Sequence, residues 1–171
     1  SSKAPMTADT CKKNILVMGV GNTLMQDDGI GSHVIESLLQ SPDTPQGLDL
    51  VDGGTIGLAL LPQIENADAV IIVDASVLNE EPGTLRLLRN AAIDPQLSGK
   101  KRTVHEVALL DLFSAAGIRG RMPGERVLIA IQPGCTEWGV DLTPAVKAAL
   151  PGACNAVRQL VIEWQATEQA A

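Results

Sequence analysis

Aromatic side chains are almost missing from this chain: one Phe, two Trp and no Tyr among 171 residues. A surface that stacks single-stranded bases needs several aromatic rings, so that class of partner is excluded. Positive charge is scarce too. Thirteen Lys and Arg stand against twenty Asp and Glu, for a net charge of −7. Such a balance does not build a phosphate-tracking groove, and no nucleic-acid partner is expected. The three cysteines, Cys11, Cys135 and Cys154, are far apart and contain no Cys-x-x-Cys pair. Neither a structural zinc site nor a disulfide framework is indicated. The opening "SSKAPMTADTCKK" has no apolar signal core, and no run approaches membrane-spanning length. The expectation is a cytoplasmic protein with no membrane partner.

What the chain does have is apolar content of 45% with 19% charged residues, a composition that folds into a globular core. One domain over residues 14–165 is expected, with residues 1–13 and 166–171 as loose tails. Short apolar runs alternate with helical patterns, the signature of a largely parallel sheet covered on both faces. Strands are read at "NILVMG" (14–19), "LDLVDG" (48–53), "AVIIVDA" (69–75) and "RVLIAIQ" (126–132). "GTLRLLR" (83–89) follows a turn and reads as an antiparallel edge. The first helix places Ile30, Val34 and Leu38 on one face, with Ile35 and Leu39 beside them. A shorter helix is read across "GLALLPQIENA", and another from about His105 to Ala116, burying Val107, Leu110 and Phe113. Thr143-Pro144 starts a helical region by capping and first-turn proline; "PG" at 151–152 breaks it before a second helix carrying Val157, Leu160, Val161 and Trp164. "LSGKKRTVH" (97–105) reads as a mobile loop.

The stretch "NILVMGVGNTLMQDDGIGSHV", residues 14–34, is a strand, a glycine turn and a helix. It does not carry nucleotide chemistry. The dinucleotide fingerprint needs a third glycine where Leu24 stands, and the P-loop pattern is absent. Asp52 ends the second strand as a ribose-binding acid would, yet Asp27 and Asp28 would sit beside the phosphate, and no Lys or Arg lies between residues 14 and 85 to offset them.

In open α/β sheets, ligands collect beyond the carboxyl ends of the strands. Asp28 follows the first strand, Asp74 ends the most apolar one, and His105 precedes a helix whose start can reach the same edge. Two carboxylates and an imidazole suit a divalent borderline metal with positions left open for substrate. Each residue also has a plain structural reading: Asp28 as a helix cap, Asp74 as an acceptor for turn amides, His105 as a surface residue. His33 shares a polar face with Glu36, Ser37 and Gln40 and reads as solvated. A Cys135–His105 pair is the thiol alternative, without a local catalytic signature, while Cys154 reads as packing.

The segments "GVGNTLMQDDGIG", "DGGTIGLALLPQI", "VIIVDAS", "PGTLRLLR", "TVHEVALLDLF" and "IQPG…WGVDLTPAV", in that order over roughly residues 14–163, resemble the hydrogenase maturation endopeptidases. These enzymes remove a C-terminal extension from the large subunit of nickel-iron hydrogenases. The resemblance implies a three-layer α/β/α sandwich around a twisted, mainly parallel sheet of about five strands. It places the family's metal-binding trio on Asp28, Asp74 and His105, which are also the expected catalytic residues. It implies nickel carried by the substrate rather than held tightly by the enzyme, and a large-subunit precursor as partner; a monomer is expected. The first acidic ligand is Glu in some family members and Asp here, one methylene shorter. Asp27 reads as a turn or cap residue, and Gly53 and Gly54 as a tight turn or an opening for a substrate strand. The competing reading is a metal-dependent assembly chaperone that binds the extension without cutting it.

Overall fold

The structure, a computed structural model, describes residues 12–54, 58–97 and 104–170. Five strands form one sheet in the order β2-β1-β3-β5-β4. β1 (Ile15–Val20) pairs in parallel with β2 (Leu48–Gly54) and β3 (Ala69–Ala75), and β3 in parallel with β5 (Glu125–Ile131). β4 (Leu85–Arg89) runs antiparallel to β5 and closes one edge, as the sequence pattern predicts. The three central strands carry near-continuous buried apolar runs because both of their faces are covered.

Strand alternation sorts the core into two layers. Ile15, Val17, Ile71, Val73, Ile129 and Ile131 face α1 (Ile30–Gln40) and α5 (Pro144–Ala170). Leu16, Met18, Val70, Ile72 and Leu128 face α2 (Leu61–Asn66), α3 (Ile93–Leu97) and α4 (Val104–Ile118). This is a three-layer α/β/α sandwich.

Three helical expectations need correcting. α5 is continuous through "PG": Pro151 sits inside it and the helix runs to Ala170, through the end read as a tail. Pro151 removes one helix bond, but Val146 before it and Ala153, Cys154, Val157, Leu160 and Trp164 after it pack into the same core layer, and that burial carries the helix across the break. Leu39 is not beside the buried stripe; it is 66% exposed at the end of α1. Helix α3 has no counterpart in the sequence reading, because only Ile93 and Leu97 of its five residues are buried. In α4 the buried side chains are Leu109, Leu112, Phe113 and Ala116, with Leu110 half-buried. The side chain of Val107 and residues 98–103 of the loop lie outside the described residues.

The connection leaving β1 turns to the α1/α5 face, whereas the one leaving β3 travels through β4, α3 and α4 to the opposite face. The chain therefore parts between the carboxyl ends of β1 and β3, which opens a crevice there. Gly31 in the first turn of α1 seats this arrangement. A Cβ on it would stand 2.5 Å from both the Val20 nitrogen and the Val73 oxygen, so only glycine lets α1 rest on both strand ends. Gly31→Val is expected to destabilise the fold by about 3 kcal/mol through overpacking; urea unfolding, read as a lower midpoint at an unchanged slope, checks it.

A candidate active site at the β1/β3 crevice

Asp28 lies in the 3-10 turn Gln26–Gly29 that precedes α1, and that turn packs on the end of β3. Its half-buried carboxylate bends back: Oδ2 accepts the Asn22 N–H at 2.8 Å. The residue in the cap position of α1 is Gly29, which makes no side-chain cap bond. Asp28 is therefore not a helix cap of the ordinary kind. Gly21, at φ +122, brings the chain so close to the Asp28 carbonyl that no side chain fits there. The glycine turn thus presents a carboxylate at the end of β1.

Asp74 is the next-to-last residue of β3, paired in register with Ala130, and only 1% exposed. A carboxylate this deep at a strand end is costly unless something beside it favours its charge. Ser76, two residues on, is also 1% exposed, and its hydroxyl has no hydrogen-bond partner among the described residues. The sequence reading passed over this serine; a buried hydroxyl left unmatched is a signal only coordinates supply. His105 falls in the first turn of α4, the helix layer covering the Asp74 face of the sheet. Its side chain lies outside the described residues. The fold therefore sets Asp28 just after β1 and Asp74 at the end of the neighbouring β3, and places the backbone of His105 in the first turn of α4.

The less obvious acid is Asp27. It is fully buried and ties the turn before α1 to the loop between β5 and α5. Its Oδ2 accepts the Gly134 and Cys135 N–H groups at 2.8 and 3.0 Å and the Thr143 hydroxyl at 2.7 Å, while Oδ1 accepts the Thr143 N–H at 2.7 Å. The Asp27 N–H returns a bond to the Cys135 carbonyl. Burial alone would raise the Asp27 pKa, but the Thr143 hydroxyl and the three amides outweigh it and hold the carboxyl below its ordinary value. The same two loops are laced again by Gln26 N–H to the Gly139 carbonyl and Gly139 N–H to the Leu24 carbonyl.

Cys135 thus has both main-chain polar groups engaged with Asp27. Cys154 is buried against the Val34 carbonyl, and burial pushes its thiol pKa up, as suits a packing residue. Asp52 accepts the Ser32 hydroxyl at 2.7 Å and so pins α1 to the end of β2.

The hydrogenase maturation protease family model (HycI) matches residues 32–160. The chain belongs to the hydrogenase maturation protease family. It is 38% identical over 144 residues to the hydrogenase 2 maturation protease of Escherichia coli, covering 84% of this chain and 87% of that one. It is 34% identical over 163 residues to the hydrogenase expression/formation protein HupD of Bradyrhizobium diazoefficiens, covering 95% and 85% respectively. Among solved structures it resembles the hydrogenase maturating endopeptidase HybD from E. coli, with a TM-score of 0.83, 35% identity and coverage of 88% and 93%. The protein is a peptidase, which sets aside the non-catalytic chaperone. No helix among the described residues is long and apolar enough to cross a membrane.

Replacing Asp27 in this protease with Asn sets an amide NH2 either against the Gly134 and Cys135 N–H groups or against the Thr143 N–H. Asp27→Asn is expected to cost about 2–4 kcal/mol at neutral pH. Because the folded pKa is depressed, the carboxylate's contribution is complete above its unfolded value of about 3.9 and is lost as pH falls through the folded value. The gap between wild type and variant should therefore close in acid. Denaturant titrations of both proteins at several pH values from 7 downward check it.

Proposed function

We propose that the protease removes the C-terminal extension of a nickel-iron hydrogenase large-subunit precursor, and that it does so only once nickel is in place. Asp28, Asp74 and His105 are the residues assigned to grip that nickel. The observation that supports this is the placement of Asp28 and Asp74 at the carboxyl ends of the neighbouring strands β1 and β3 in a chain of this family. Asp28 comes from a turn fixed on both sides, by Gly21 and by the Asp27 contacts, so its carboxylate is pre-positioned rather than recruited.

In this reading nickel belongs to the substrate, held by the precursor's cysteines. Two aspartates and one histidine form an incomplete set for a free divalent ion, since affinity grows with ligand number and geometric fit. They complete a sphere that the precursor has begun. Docking on the metal lays the scissile peptide bond across the crevice, where water attacks its carbonyl carbon without a covalent enzyme intermediate. The metal polarises the carbonyl, or one of the two aspartates takes the proton from water, and the amine leaves with the extension. Processing becomes a checkpoint, because a nickel-free precursor offers the trio nothing to hold.

Asp28→Asn, Asp74→Asn and His105→Ala should each abolish processing, by at least about a thousandfold, while keeping a cooperative thermal transition. Purified protease should carry little nickel, cut the nickel-loaded precursor without added metal, and leave the nickel-free form whole. Mass spectrometry of both precursor forms, with elemental analysis of the enzyme, reads all three points. Equal cutting of the two forms would overturn the nickel checkpoint.

A further inference from the structure

Ser76 carries a polar group that the processing scheme leaves without a task. β3 ends at Ala75, yet its ladder runs one residue further, because the Ser76 N–H donates to the Ile131 carbonyl at 3.0 Å. Strand alternation therefore still holds at this position. Ile71, Val73 and Ala75 pack in the α1/α5 layer and Val70 and Ile72 in the opposite one, so Asp74 and Ser76 continue the row of Ile72 on the α4 side. The backbone beyond is clamped as well. The Gln96 side chain donates to the Val77 carbonyl at 3.0 Å, and the Leu78 N–H donates to the Gln132 side-chain oxygen at 2.6 Å. Ser76 is thus held from both sides in a fixed frame, and its hydroxyl is not idle through looseness of the chain.

A folded protein leaves few buried polar atoms unmatched, since each forfeits the hydrogen bonds it made in water. Among the described residues Arg158 also leaves its Nε unmatched, but that guanidinium bonds the Ser41 hydroxyl through Nη2 at 3.1 Å. The hydroxyl is the whole polar capacity of the Ser76 side chain, and all of it is unspent at 1% exposure. Alanine would fit the same space without that cost. What the hydroxyl offers is set by its neighbour on the strand. Residues two apart on a strand stand about 6.6 Å apart at the backbone, and one water joins oxygens up to about 5.5 Å apart by two ordinary bonds. Both side chains shorten that spacing, so the Ser76 hydroxyl can donate to the Asp74 carboxylate directly or through a single water.

We propose that Ser76 is a positioning residue that acts through Asp74: when nickel-loaded precursor is bound, its hydroxyl donates to one Asp74 oxygen and turns the other toward the metal. The inference rests on the proposed processing reaction and supplies the outer partner of one of its assigned ligands. Carboxylates that ligate metals are themselves hydrogen-bonded, and losing such a partner typically costs roughly 10–100-fold in metal affinity or activity. The unmatched hydroxyl of the free protein is then a loss of stability kept for function.

The test uses the full-length protease with nickel-loaded precursor. Ser76→Ala should process roughly 10–100-fold more slowly, with a thermal transition at or above that of wild type. Ser76→Thr and Ser76→Val are nearly identical in shape and separate hydroxyl from volume: the first should cut at least about tenfold faster than the second. Wild-type turnover in Ser76→Ala, or equal rates for the two larger variants, overturns the assignment. If crowding unfolds both larger variants, the Ser76→Ala result decides. Failure of wild type to cut the loaded precursor is a failure of the processing reading instead. Titration with nickel(II) alone then decides Ser76: affinity weakened roughly tenfold by Ser76→Ala upholds its role, and equal affinity, or none in either protein, overturns it.

Discussion

The site depends on one buried carboxylate that takes no part in the proposed chemistry. Asp27 gathers two amides, a third amide and a hydroxyl from Gly134, Cys135 and Thr143 into a single anion-binding knot. An ionised carboxylate in the interior is tolerable only when its lone pairs are met by well-placed donors, and here both oxygens are met. Because Asp27 is directly bonded in sequence to Asp28, fixing the first fixes the backbone of the second. The knot also sets the start of α5, the longest helix and the main cover of one core layer. Core, loop and candidate site thus share one constraint.

The second constraint is close approach. Glycine at 31 lets α1 press onto the ends of β1 and β3, and glycine at 21 lets the turn fold back over Asp28. The phosphate-binding folds that share this strand–turn–helix path use helix amides at that position to attract anions. Here Asp27 and Asp28 already occupy the turn as anions. The identity of these two residues closes the same backbone path to an incoming anion.

The strands were legible in the sequence because burial on both faces writes an uninterrupted apolar run, as in the "AVIIV" that opens β3. Asp28 and Asp74 were legible as site candidates for a related reason: a carboxylate closing an apolar strand, or opening the following helix, stands out against its surroundings. The misreadings have physical causes. Pro151 is a local breaker, but the packing that carries α5 across it is tertiary. Leu39 fits the helical stripe by spacing, yet it falls beyond the area that the sheet covers. Asp27 read as a turn residue because its partners lie more than a hundred positions away.

The claim on which the function turns is that protease side chains enter the coordination sphere of nickel brought by the substrate. X-ray absorption at the nickel edge tests it most directly, on a nickel-loaded precursor made resistant to cutting by a proline placed after the scissile bond. The spectrum is recorded with and without wild-type protease, under conditions where complex formation is verified by size-exclusion chromatography. The account predicts that oxygen and nitrogen scatterers join the sulfur shell when the protease binds. A nickel shell that stays the same in the verified complex would contradict it, and would assign Asp28, Asp74 and His105 to some other work.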